Sequence, residues 1–542
     1  MSKPGFTALV ILICLVVISL LSGIGTLRLV TLFCMPFLMM LPVFGIANLL
    51  GRRPPFAWSI YALWSALWCG SVLIECYLSF RYGLQPQSRQ VVESLVNAPA
   101  SEAREYAASL PLPFVMATAL SAGLAWALVR LGQKTGEKIF PTTSPGKGKV
   151  VLAVALIALP LIAHKNVIVM RADPVTFWPS ILREGRAMQE AQTALTKQRL
   201  SARDHISEWK PIYTGPAQKT FVLVLGESSN RWDWSLYGYP RKTTPNLDAM
   251  RDHLLVFEDV ISSYGNTLNE MTRILTSATK SDDESWRTEP SIITLAKQAG
   301  YKVFWLSNQS FVYANAMFGE DADVFRLVYD GRVNRHDDSH DEKLLPELSQ
   351  ALQDPAPLKF IVLHTLGSHE SYAARYPDSF AVFNEAQDAV SQEMADNWFW
   401  IRAARNNYDN SILYTDYVLS RAIGLVSKIR NSDSSLLYLS DHAQDVGHLT
   451  ASFGHQFFLE SGFTVPVILW RNRPDFPTAS EKALTTRPYQ SDVMDWTLLS
   501  LLDISTAKDR PELNLVGPGY QPQPREIAHK AYIPGKSHRV EK

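Results

Sequence analysis

Acidic and imidazole side chains follow three predicted β-strands of this sequence. Glu227 comes directly after one apolar run, His369 lies shortly after a second, and Asp441 and His442 follow a third. In an open α/β sheet, ligands collect outside the carboxyl ends of the strands. Carboxylates and imidazoles are ligands that Zn²⁺ and similar divalent ions take in proteins. The pattern therefore predicts a divalent metal site at one edge of a sheet.

Each of these signals also has a structural alternative. Glu227 taken alone suits a helix-capping acid as well as a metal ligand, and an Asp–His pair after a strand is common. Three such strand ends in one region favour the metal site over these alternatives. Two further histidines, His448 and His455, follow in a glycine-containing loop. We leave His448 outside the predicted site, as a surface residue.

A hydroxyl near such a metal becomes nucleophilic, and clustered divalent ions stabilise an in-line phosphoryl displacement. The candidate segment is Ser262–Thr276, in which a glycine turn precedes Thr267 and a helix-like run follows it. A hydroxyl at a helix N-terminus meets free N–H groups and the positive end of the helix dipole, which suit phosphate oxygens. Thr267 equally suits a simple helix cap. Spacing alone does not favour it over Ser262, Ser263 or Thr272.

Alternating strands and helices position these residues. This alternation predicts a parallel, doubly wound sheet, and the chain beyond Pro511 reads as loosely ordered surface. The predicted strands are Phe221–Gly226, Tyr301–Leu306, Leu358–His364, Ser435–Leu439 and Thr464–Trp470, and the predicted helices are Pro290–Gly300, Asp341–Leu352 and Asn406–Ile429.

The first third of the chain has the composition of a membrane domain. Its apolar stretches are each near the roughly 20 residues that a hydrocarbon core requires, and the first is not flanked like a cleaved signal peptide. With five spans, the basic residues at Lys3, Arg52, Arg53 and 134–149 share one side, which predicts a cytoplasmic N-terminus and an exported remainder; an even count would reverse this. The predicted spans are Gly5–Gly25, Leu29–Leu50, Ala57–Phe80, Leu110–Leu131 and Val150–Met170.

Length and composition set further bounds. The 542 residues carry 52 basic and 52 acidic side chains, and this balance does not indicate nucleic acid as a partner. All four cysteines lie in predicted spans, so the exported part relies on its core. We predict a membrane domain at 1–170, a linker at 171–215 and a catalytic domain at 216–542. The helical run Ile181–Ser201 suits a solvated linker or an interfacial helix that lies on the bilayer.

Six motif blocks carry a resemblance to a known family. In this order they resemble the membrane-bound phosphoethanolamine transferases of the alkaline phosphatase/sulfatase superfamily, which implies an α-helical membrane domain and a sulfatase-like α/β domain with a mostly parallel sheet. The blocks are Gly226-Glu-Ser, Leu236–Pro245, Asp341–Leu345, Gly367-Ser-His369, Tyr408–Ser411 with Thr415-Asp416, and Ser440-Asp-His442.

By this resemblance, Glu227, Asp441 and His442 bind a catalytic Zn²⁺ together with the nucleophilic hydroxyl. The family's nucleophile falls on Thr267. The sequence departs from the characterised lipid A-modifying members in two respects, since it lacks their cysteines in this domain and has Thr272 where they have proline. Both departures bear on which acceptor the protein uses rather than on the reaction that it catalyses, since every predicted metal ligand is present.

The resemblance also implies residues that bind the substrate. His369 and His455 match the histidines that contact the phosphate or a second metal. Asn308 lies where the family often recognises the head group.

The expected reaction is transfer of phosphoethanolamine from phosphatidylethanolamine to a hydroxyl of lipopolysaccharide, lipid A or another envelope glycan. It would take place at the bacterial inner membrane, with the catalytic domain in the periplasm. A phosphoglycerol transferase or a phosphohydrolase on the same scaffold is one alternative, and a catalytically silent membrane scaffold is another. A sulfatase would need a Cys/Ser-x-Pro-x-Arg motif, which the stretch around Thr267 lacks.

Overall fold

A computed structural model describes the chain in two compact units, an N-terminal helical unit and a C-terminal α/β unit. The described residues are 26–50, 55–82, 91–92, 111–139, 147–183, 185–186, 190, 205–282, 284–309, 317–328, 340–384 and 387–534. The first predicted span, Gly5–Gly25, and most of the predicted linker helix lie outside these residues.

Three helices of the N-terminal unit are long and apolar enough to cross a membrane, over Val30–Leu50, Pro55–Ser79 and Val115–Thr135. Helix α1 packs on α4, and α2 packs on α3. The helices are α1 (Thr26–Leu50), α2 (Pro55–Tyr82), α3 (Pro111–Ile139), α4 (Lys147–Ala163) and α5 (Val167–Ala172), and residues 174–183 are also helical.

The predicted span Val150–Met170 is divided between two helices. Helix α4 has 17 residues, a length of roughly 25 Å, against a hydrocarbon core of about 30 Å. It ends three residues after Pro160, where His164 bonds back to the Pro160 carbonyl at 2.7 Å. The five-span arrangement therefore remains a prediction.

A seven-stranded sheet organises the C-terminal unit, in the order β3-β11-β8-β2-β7-β5-β6. Strands β8, β2, β7, β5 and β6 are parallel, whereas β11 runs antiparallel to β3 and β8, so the sheet is mixed. The strands are β2 (Lys219–Gly226), β3 (Leu255–Phe257), β5 (Lys302–Ser307), β6 (Val324–Leu327), β7 (Leu358–His364), β8 (Asp433–Ser440) and β11 (Val467–Arg471).

The described part of this unit also contains four two-stranded ladders, nine further α-helices and several short 3-10 helices. The ladder strands are β1 (Ile212–Tyr213) with β13 (Ile504–Ser505), β4 (Val260–Ile261) with β12 (Tyr489–Gln490), β9 (Asp445–Val446) with β10 (Phe453–Gly454), and β14 (Glu526–Ile527) with β15 (Lys530–Ala531). The helices are α6 (Ile206–Trp209), α7 (Pro245–Ala249), α8 (Thr267–Ile274), α9 (Ile292–Gln298), α10 (Leu344–Leu352), α11 (Ala389–Glu393), α12 (Phe399–Val426), α13 (Ala479–Lys482) and α14 (Met494–Leu501).

Both faces of the sheet are buried. Along β2, the side chains of Phe221, Leu223 and Leu225 enter one core, and those of Val222 and Val224 enter the other. Helices α8, α9 and α14 cover the first face, and α7, α10 and α12 cover the second. This explains the uninterrupted apolar run of β2, because a strand with two buried faces has no polar face.

Two expectations from the sequence are wrong. The strand predicted at Thr464–Trp470 does not join the parallel set, because the chain returns from β8 without a crossover helix and therefore pairs antiparallel. The stretch beyond Pro511 is not loose surface over the described residues. Leu515 and Ile527 are buried, and Arg525 forms an ion pair with Asp259 at 2.7 Å.

Candidate active site

Two neighbouring strands bring the predicted metal ligands together. Gly226 of β2 pairs in register with Ser440 of β8, so Glu227 and Asp441 leave the sheet side by side. The potential ligand atoms of Glu227, Asp441 and His442 all lie within 4.8 Å of one another, and all three side chains are buried. We call these three residues the acidic triad.

Asp441 is oriented by backbone N–H groups. Its Oδ1 accepts hydrogen bonds from the amides of Ser228 at 3.0 Å and His442 at 2.7 Å. Ser228 adopts a left-handed φ of 59°, a conformation that costs energy for a residue with a side chain. The second oxygen, Oδ2, is buried and accepts no hydrogen bond from the described residues. It is a free ligand atom in the triad.

His442 presents its other nitrogen to the carboxylates. Nδ1 lies 3.0 Å from the backbone carbonyl of Ala443, which requires a proton on Nδ1. Nε2 lies 3.3 Å from Glu227 Oε1 and 3.6 Å from Asp441 Oδ2. A backbone partner on one ring nitrogen is the usual arrangement that leaves the other nitrogen for a metal.

Thr267 brings a hydroxyl to this triad. It is the first residue of α8, and its Oγ1 donates to Glu227 Oε2 at 3.0 Å and lies 3.4 Å from His442 Nε2. The alternative reading of Thr267 as the helix cap is wrong, because Asn266 is the cap and accepts from the Asn269 amide.

The other candidate hydroxyls have structural partners. Ser263 Oγ donates to Glu270 at 2.6 Å, and Thr272 Oγ1 donates to the Asn269 carbonyl at 2.7 Å. Ser262 Oγ lies 3.5 Å from the Phe463 carbonyl. Among the four hydroxyls that spacing left open, Thr267 is the one with a hydrogen bond to the triad.

Glu270 holds the loop that delivers Thr267. Its Oε2 accepts from the amides of Ser263 at 2.9 Å and Tyr264 at 2.7 Å, and its Oε1 accepts from the Ser491 hydroxyl. The side chain is completely buried, and burial raises the pKa of its carboxyl. The glutamate therefore ties the start of α8 to the loop before it.

The triad is short of positive charge. Burial and the charge of Glu227 raise the pKa of Asp441 to about 8. Burial also disfavours ionised Glu227, yet His442 holds the pKa of that carboxyl well below its usual range. Burial lowers the pKa of His442, but the two carboxylates outweigh it and raise that pKa to about 9. Two carboxylates, one imidazole, a hydroxyl and a free Asp441 oxygen together fit a divalent cation.

His455 lies beside His442 of the triad, and His369 lies beside His455. The His455 ring centroid is 4.8 Å from that of His442 and 6.2 Å from that of His369. Both rings are half-buried, and His369 Nδ1 has no hydrogen-bond partner among the described residues. His448 is not the surface residue that we expected, because its Nε2 pairs with the buried carboxylate of Asp233 at 3.0 Å.

Asn308 and its neighbour Gln309 have different environments. Asn308 is fully buried, and its Nδ2 donates to Asp341 at 2.8 Å. Gln309 Nε2 donates to Glu227 Oε2 at 2.9 Å and to the Thr365 carbonyl at 2.9 Å. Sequence reasoning missed Gln309 and Ser228. Ser228 follows Glu227 in the block Gly226-Glu-Ser, and Gln309 follows Asn308, so adjacency to a predicted site residue was the available signal.

A glycine loop supports Glu227 from the neighbouring strand β7. Gly367 has a φ of +51°, and a Cβ there would lie 2.6 Å from the Glu227 carbonyl oxygen. The Ser368 amide donates to that same oxygen at 3.0 Å, while Asp341 accepts from the amides of Leu366 and Gly367. Both the backbone conformation and the close approach require glycine at this position.

Known proteins resemble the chain in sequence. A family model described as Sulfatase matches residues 219–504, just over half of the chain. The phosphoethanolamine transferase CptA of Salmonella typhimurium is 30% identical over 436 residues, which are 74% of this chain and 72% of that protein. EptC of Escherichia coli K12, also a phosphoethanolamine transferase, is 34% identical over 286 residues. That alignment covers 51% of this chain and 47% of EptC, so the chain spans about half the length of this relative.

Solved structures match the same fold. The zinc complex of the C-terminal periplasmic domain of Escherichia coli EptC aligns with a TM-score of 0.55 and 29% identity, over 61% of this chain and 95% of that one. The integral membrane lipooligosaccharide phosphoethanolamine transferase A of Neisseria meningitidis aligns with a TM-score of 0.60 and 19% identity, over 91% of this chain and 92% of that one.

The chain therefore belongs to the sulfatase family. Within it, the chain resembles the membrane-bound phosphoethanolamine transferases, and the resemblance predicted from the motif blocks is confirmed.

Proposed function

We propose that this protein transfers phosphoethanolamine from phosphatidylethanolamine to a hydroxyl of lipopolysaccharide, lipid A or another envelope glycan. The observation that carries the proposal is the Thr267 hydroxyl, which bonds to Glu227 within a buried triad that is short of positive charge. The class of substrate is proposed from the relatives EptC and CptA, which are phosphoethanolamine transferases. The proposed location is the bacterial inner membrane, with a catalytic domain from residue 216 in the periplasm.

Thr267 is the proposed nucleophile. Its Oγ1 forms a bond to the phosphorus of the donor while the bond from phosphorus to the diacylglycerol oxygen breaks. The Thr267 hydroxyl, which donates to Glu227 Oε2, loses its proton as this bond forms, and the departing diacylglycerol oxygen takes up one proton, so the step conserves protons. Phosphoethanolamine then remains on the threonine, and an acceptor hydroxyl displaces it in a second step that restores the Thr267 hydroxyl.

Glu227, Asp441, His442 and Thr267 would hold Zn²⁺. The donor set of carboxylates, imidazole and hydroxyl suits this ion, and a relative's domain has been solved in complex with zinc. Bound zinc would supply Lewis-acid stabilisation of the phosphoryl charge and a lower pKa for the attacking hydroxyl.

The remaining predicted residues would bind the substrate. We propose that His369 and His455 contact the transferring phosphate or a second metal, since both lie beside the triad. Asn308 would act on the head group; it is buried and bonded to Asp341, so this role requires a change that exposes its side chain to the substrate. Attachment to the membrane would keep the protein near its lipid donor and raise the effective concentration of that donor.

Intact mass spectrometry tests this proposal. The full-length zinc-loaded protein is incubated with phosphatidylethanolamine beside Thr267→Ala and the matched control Thr272→Ala, which removes a hydroxyl from the same helix. We expect a phosphoethanolamine adduct on the wild type and the control, and none on Thr267→Ala.

The other outcomes separate the alternatives. An adduct on Thr267→Ala would move the nucleophile to a neighbouring hydroxyl. An adduct formed from phosphatidylglycerol instead would indicate a phosphoglycerol transferase, and phosphate release without an acceptor would indicate a hydrolase. No adduct, together with no stoichiometric zinc, would indicate the silent scaffold.

A further inference from the structure

A cleft opens in the C-terminal unit outside the acidic triad. Its volume is about 650 Å³, and the loop 231–240 forms most of its wall. Three aromatic rings and three charged groups line it: Trp232, Tyr237, Tyr239, Arg231, Arg251 and Glu258. None of them belongs to the acidic triad or to the predicted substrate-binding residues.

The cleft lies at the same sheet edge as the triad. The Tyr237 hydroxyl exchanges hydrogen bonds with the backbone of Val467 at 3.0 and 3.1 Å. Val467 pairs with Leu439, two residues before Asp441, and neighbouring strands lie only about 4.8 Å apart. Glu258 follows β3, which runs in the same direction as β8 because β11 is antiparallel to both.

The chain itself also limits the separation. Arg231 is four residues beyond Glu227, which is no more than about 14 Å of extended chain. Its Nη1 donates to the Val260 carbonyl at 2.9 Å, and β4 leads through a short loop to Thr267. One wall of the cleft is thus tied to both a proposed metal ligand and the proposed nucleophile.

The lining suits an anion attached to a flat, partly apolar body. Two guanidinium groups and one carboxylate leave a net positive charge. A guanidinium has five N–H donors. Among the described residues, Arg231 donates to the Val260 carbonyl and Arg251 donates to the Leu236 carbonyl, with one donor each. Guanidinium groups bind phosphate in bidentate fashion. Aromatic rings present apolar faces, against which the C–H face of a sugar ring packs.

We infer that this cleft binds a phosphate-bearing sugar of the acceptor glycan. The inference rests on the proposed function and deepens it, because it assigns the acceptor to a site distinct from that of the lipid donor. Arg251 and Arg231 bind the sugar phosphate, the Trp232 ring packs on the sugar, and Glu258 accepts from its hydroxyl groups. A neighbouring hydroxyl of the glycan then reaches Thr267.

Calorimetry on the full-length zinc-loaded protein in nanodiscs tests the inference. The probe is core oligosaccharide released from lipopolysaccharide by mild acid, used before and after enzymatic removal of its phosphates. We expect Arg251→Gln to weaken binding of the phosphorylated probe about tenfold, as for the loss of one charge-assisted hydrogen bond. Arg251→Lys should restore part of it, and Trp232→Ala should weaken binding of both probes.

Arg402→Gln is the matched control. Arg402 is also an exposed arginine that donates to a backbone carbonyl, that of Ala395 at 3.0 Å, and it does not line the cleft. The inference is overturned if Arg251→Gln and Arg402→Gln bind the phosphorylated probe equally well, or if removal of phosphate leaves the wild-type affinity unchanged.

A separate readout distinguishes this inference from the proposed function. The phosphoethanolamine adduct on Thr267 forms from the donor alone and should be unchanged in all these variants, which also shows that they fold. Absence of the adduct from the wild type would contradict the proposed function. Normal adduct formation with unaltered probe binding in Arg251→Gln would contradict only the cleft.

Discussion

Two of the clusters that buried acids form in the C-terminal unit balance their charge in different ways. In the acidic triad, Glu227 and Asp441 converge, and His442 is the basic group that lies between them. One oxygen of Asp441 accepts no hydrogen bond from the described residues. Two converging carboxylates repel each other unless a cation or a proton lies between them.

The second cluster supplies its own cations. Arg405 donates to Asp233 at 2.5 Å, and Arg241 donates to Asp409 at 2.7 Å. The four side chains are almost completely buried. We call these residues the arginine cluster: Asp233, Arg241, Arg405 and Asp409.

The two clusters differ in whether a buried carboxylate has its own cation, and this difference distinguishes a structural role from a catalytic one. A buried carboxylate with its own guanidinium is complete, and removal of either partner leaves an uncompensated charge. A buried pair of carboxylates with only one imidazole lacks the positive charge that would balance it, and it therefore fits an added cation. The two clusters should therefore respond to mutation in opposite ways.

The largest expected effect is on activity, from Asp441→Asn. The amide keeps an oxygen for the Ser228 and His442 amides but loses the negative charge at the free position. Loss of several kcal/mol of metal stabilisation corresponds to roughly a thousandfold lower kcat/KM, with loss of bound zinc by elemental analysis. The free energy of unfolding of the metal-free protein should not fall, because the mutation relieves carboxylate repulsion. A variant that keeps one zinc and near-normal activity would contradict this.

The arginine cluster should show the reverse, in Arg405→Met. Asp233 would lose its ion pair in a buried site, and we expect the free energy of unfolding to fall by about 3–5 kcal/mol. Zinc content per folded chain should be unchanged. Arg402→Met, three residues earlier on α12 and exposed, is the control and should change stability by less than about 0.5 kcal/mol. Denaturant titrations that gave equal losses of stability for Arg405→Met and Arg402→Met would contradict the structural role of the arginine cluster.

Mildly acidic pH should lower the stability of the sheet edge that carries the acidic triad. The residue responsible is His364, the last residue of β7. Burial lowers the pKa of His364 to about 4, although the charge of Glu227 opposes this. The unfolded imidazole titrates near 6.5, so it takes up a proton that the folded chain does not. Stability is complete above pH 6.5 and falls by up to about 3 kcal/mol as the pH drops to 4.

His364→Gln should flatten this part of the stability–pH curve measured by chemical denaturation. The control is His205→Gln, because His205 is exposed. A wild-type curve and a His364→Gln curve with the same slope between pH 6.5 and 4 would show that the buried ring does not titrate as expected.

Removal of metal should destabilise the proteins that keep the acidic triad intact. At a free zinc concentration about 100-fold above its Kd, binding adds about 2.7 kcal/mol to stability. A chelator should therefore lower the Tm of the wild type and of Arg402→Met by a few degrees, and leave that of Asp441→Asn unchanged. A chelator effect of equal size in Asp441→Asn would place the metal elsewhere.

The smallest expected effect is at Asp388, which borders the arginine cluster and pairs with Arg241 at 2.8 Å. Burial raises the pKa of Asp388, but the hydrogen bond from Arg241 outweighs it and lowers the pKa to about 2. This stabilisation is present above about pH 4 and is lost as the pH falls towards 2. The side chain is 35% exposed, so solvent screening limits it to under about 1 kcal/mol. Asp388→Asn should show a shallower acid limb in thermal melts between pH 4 and 2.

Much of the fold was predictable from the sequence. The five predicted strands all exist within a few residues of their predicted ends, because a strand buried on both faces must be continuously apolar. The long helix predicted from Asn406 begins at Phe399 instead. The start of this helix has three exposed aromatic residues, the cap residue Trp398 followed by Phe399 and Trp400, which do not follow an amphipathic helical pattern.

The residue types and their order were enough to predict that Glu227, Asp441 and His442 follow strands. They were also enough to show that the chain resembles a sulfatase-like transferase. Tertiary structure alone decided which of four hydroxyls faces them, because Thr267 is 40 residues from Glu227 and 175 from His442 in sequence.

The direction of β11, the contact of Gln309 with Glu227 and the arginine cluster were also beyond the sequence. Local patterns report burial and helical or extended geometry, whereas these features depend on the register in which distant strands pair. The register of Gly226 with Ser440 places two carboxylates side by side, and no local pattern encodes it.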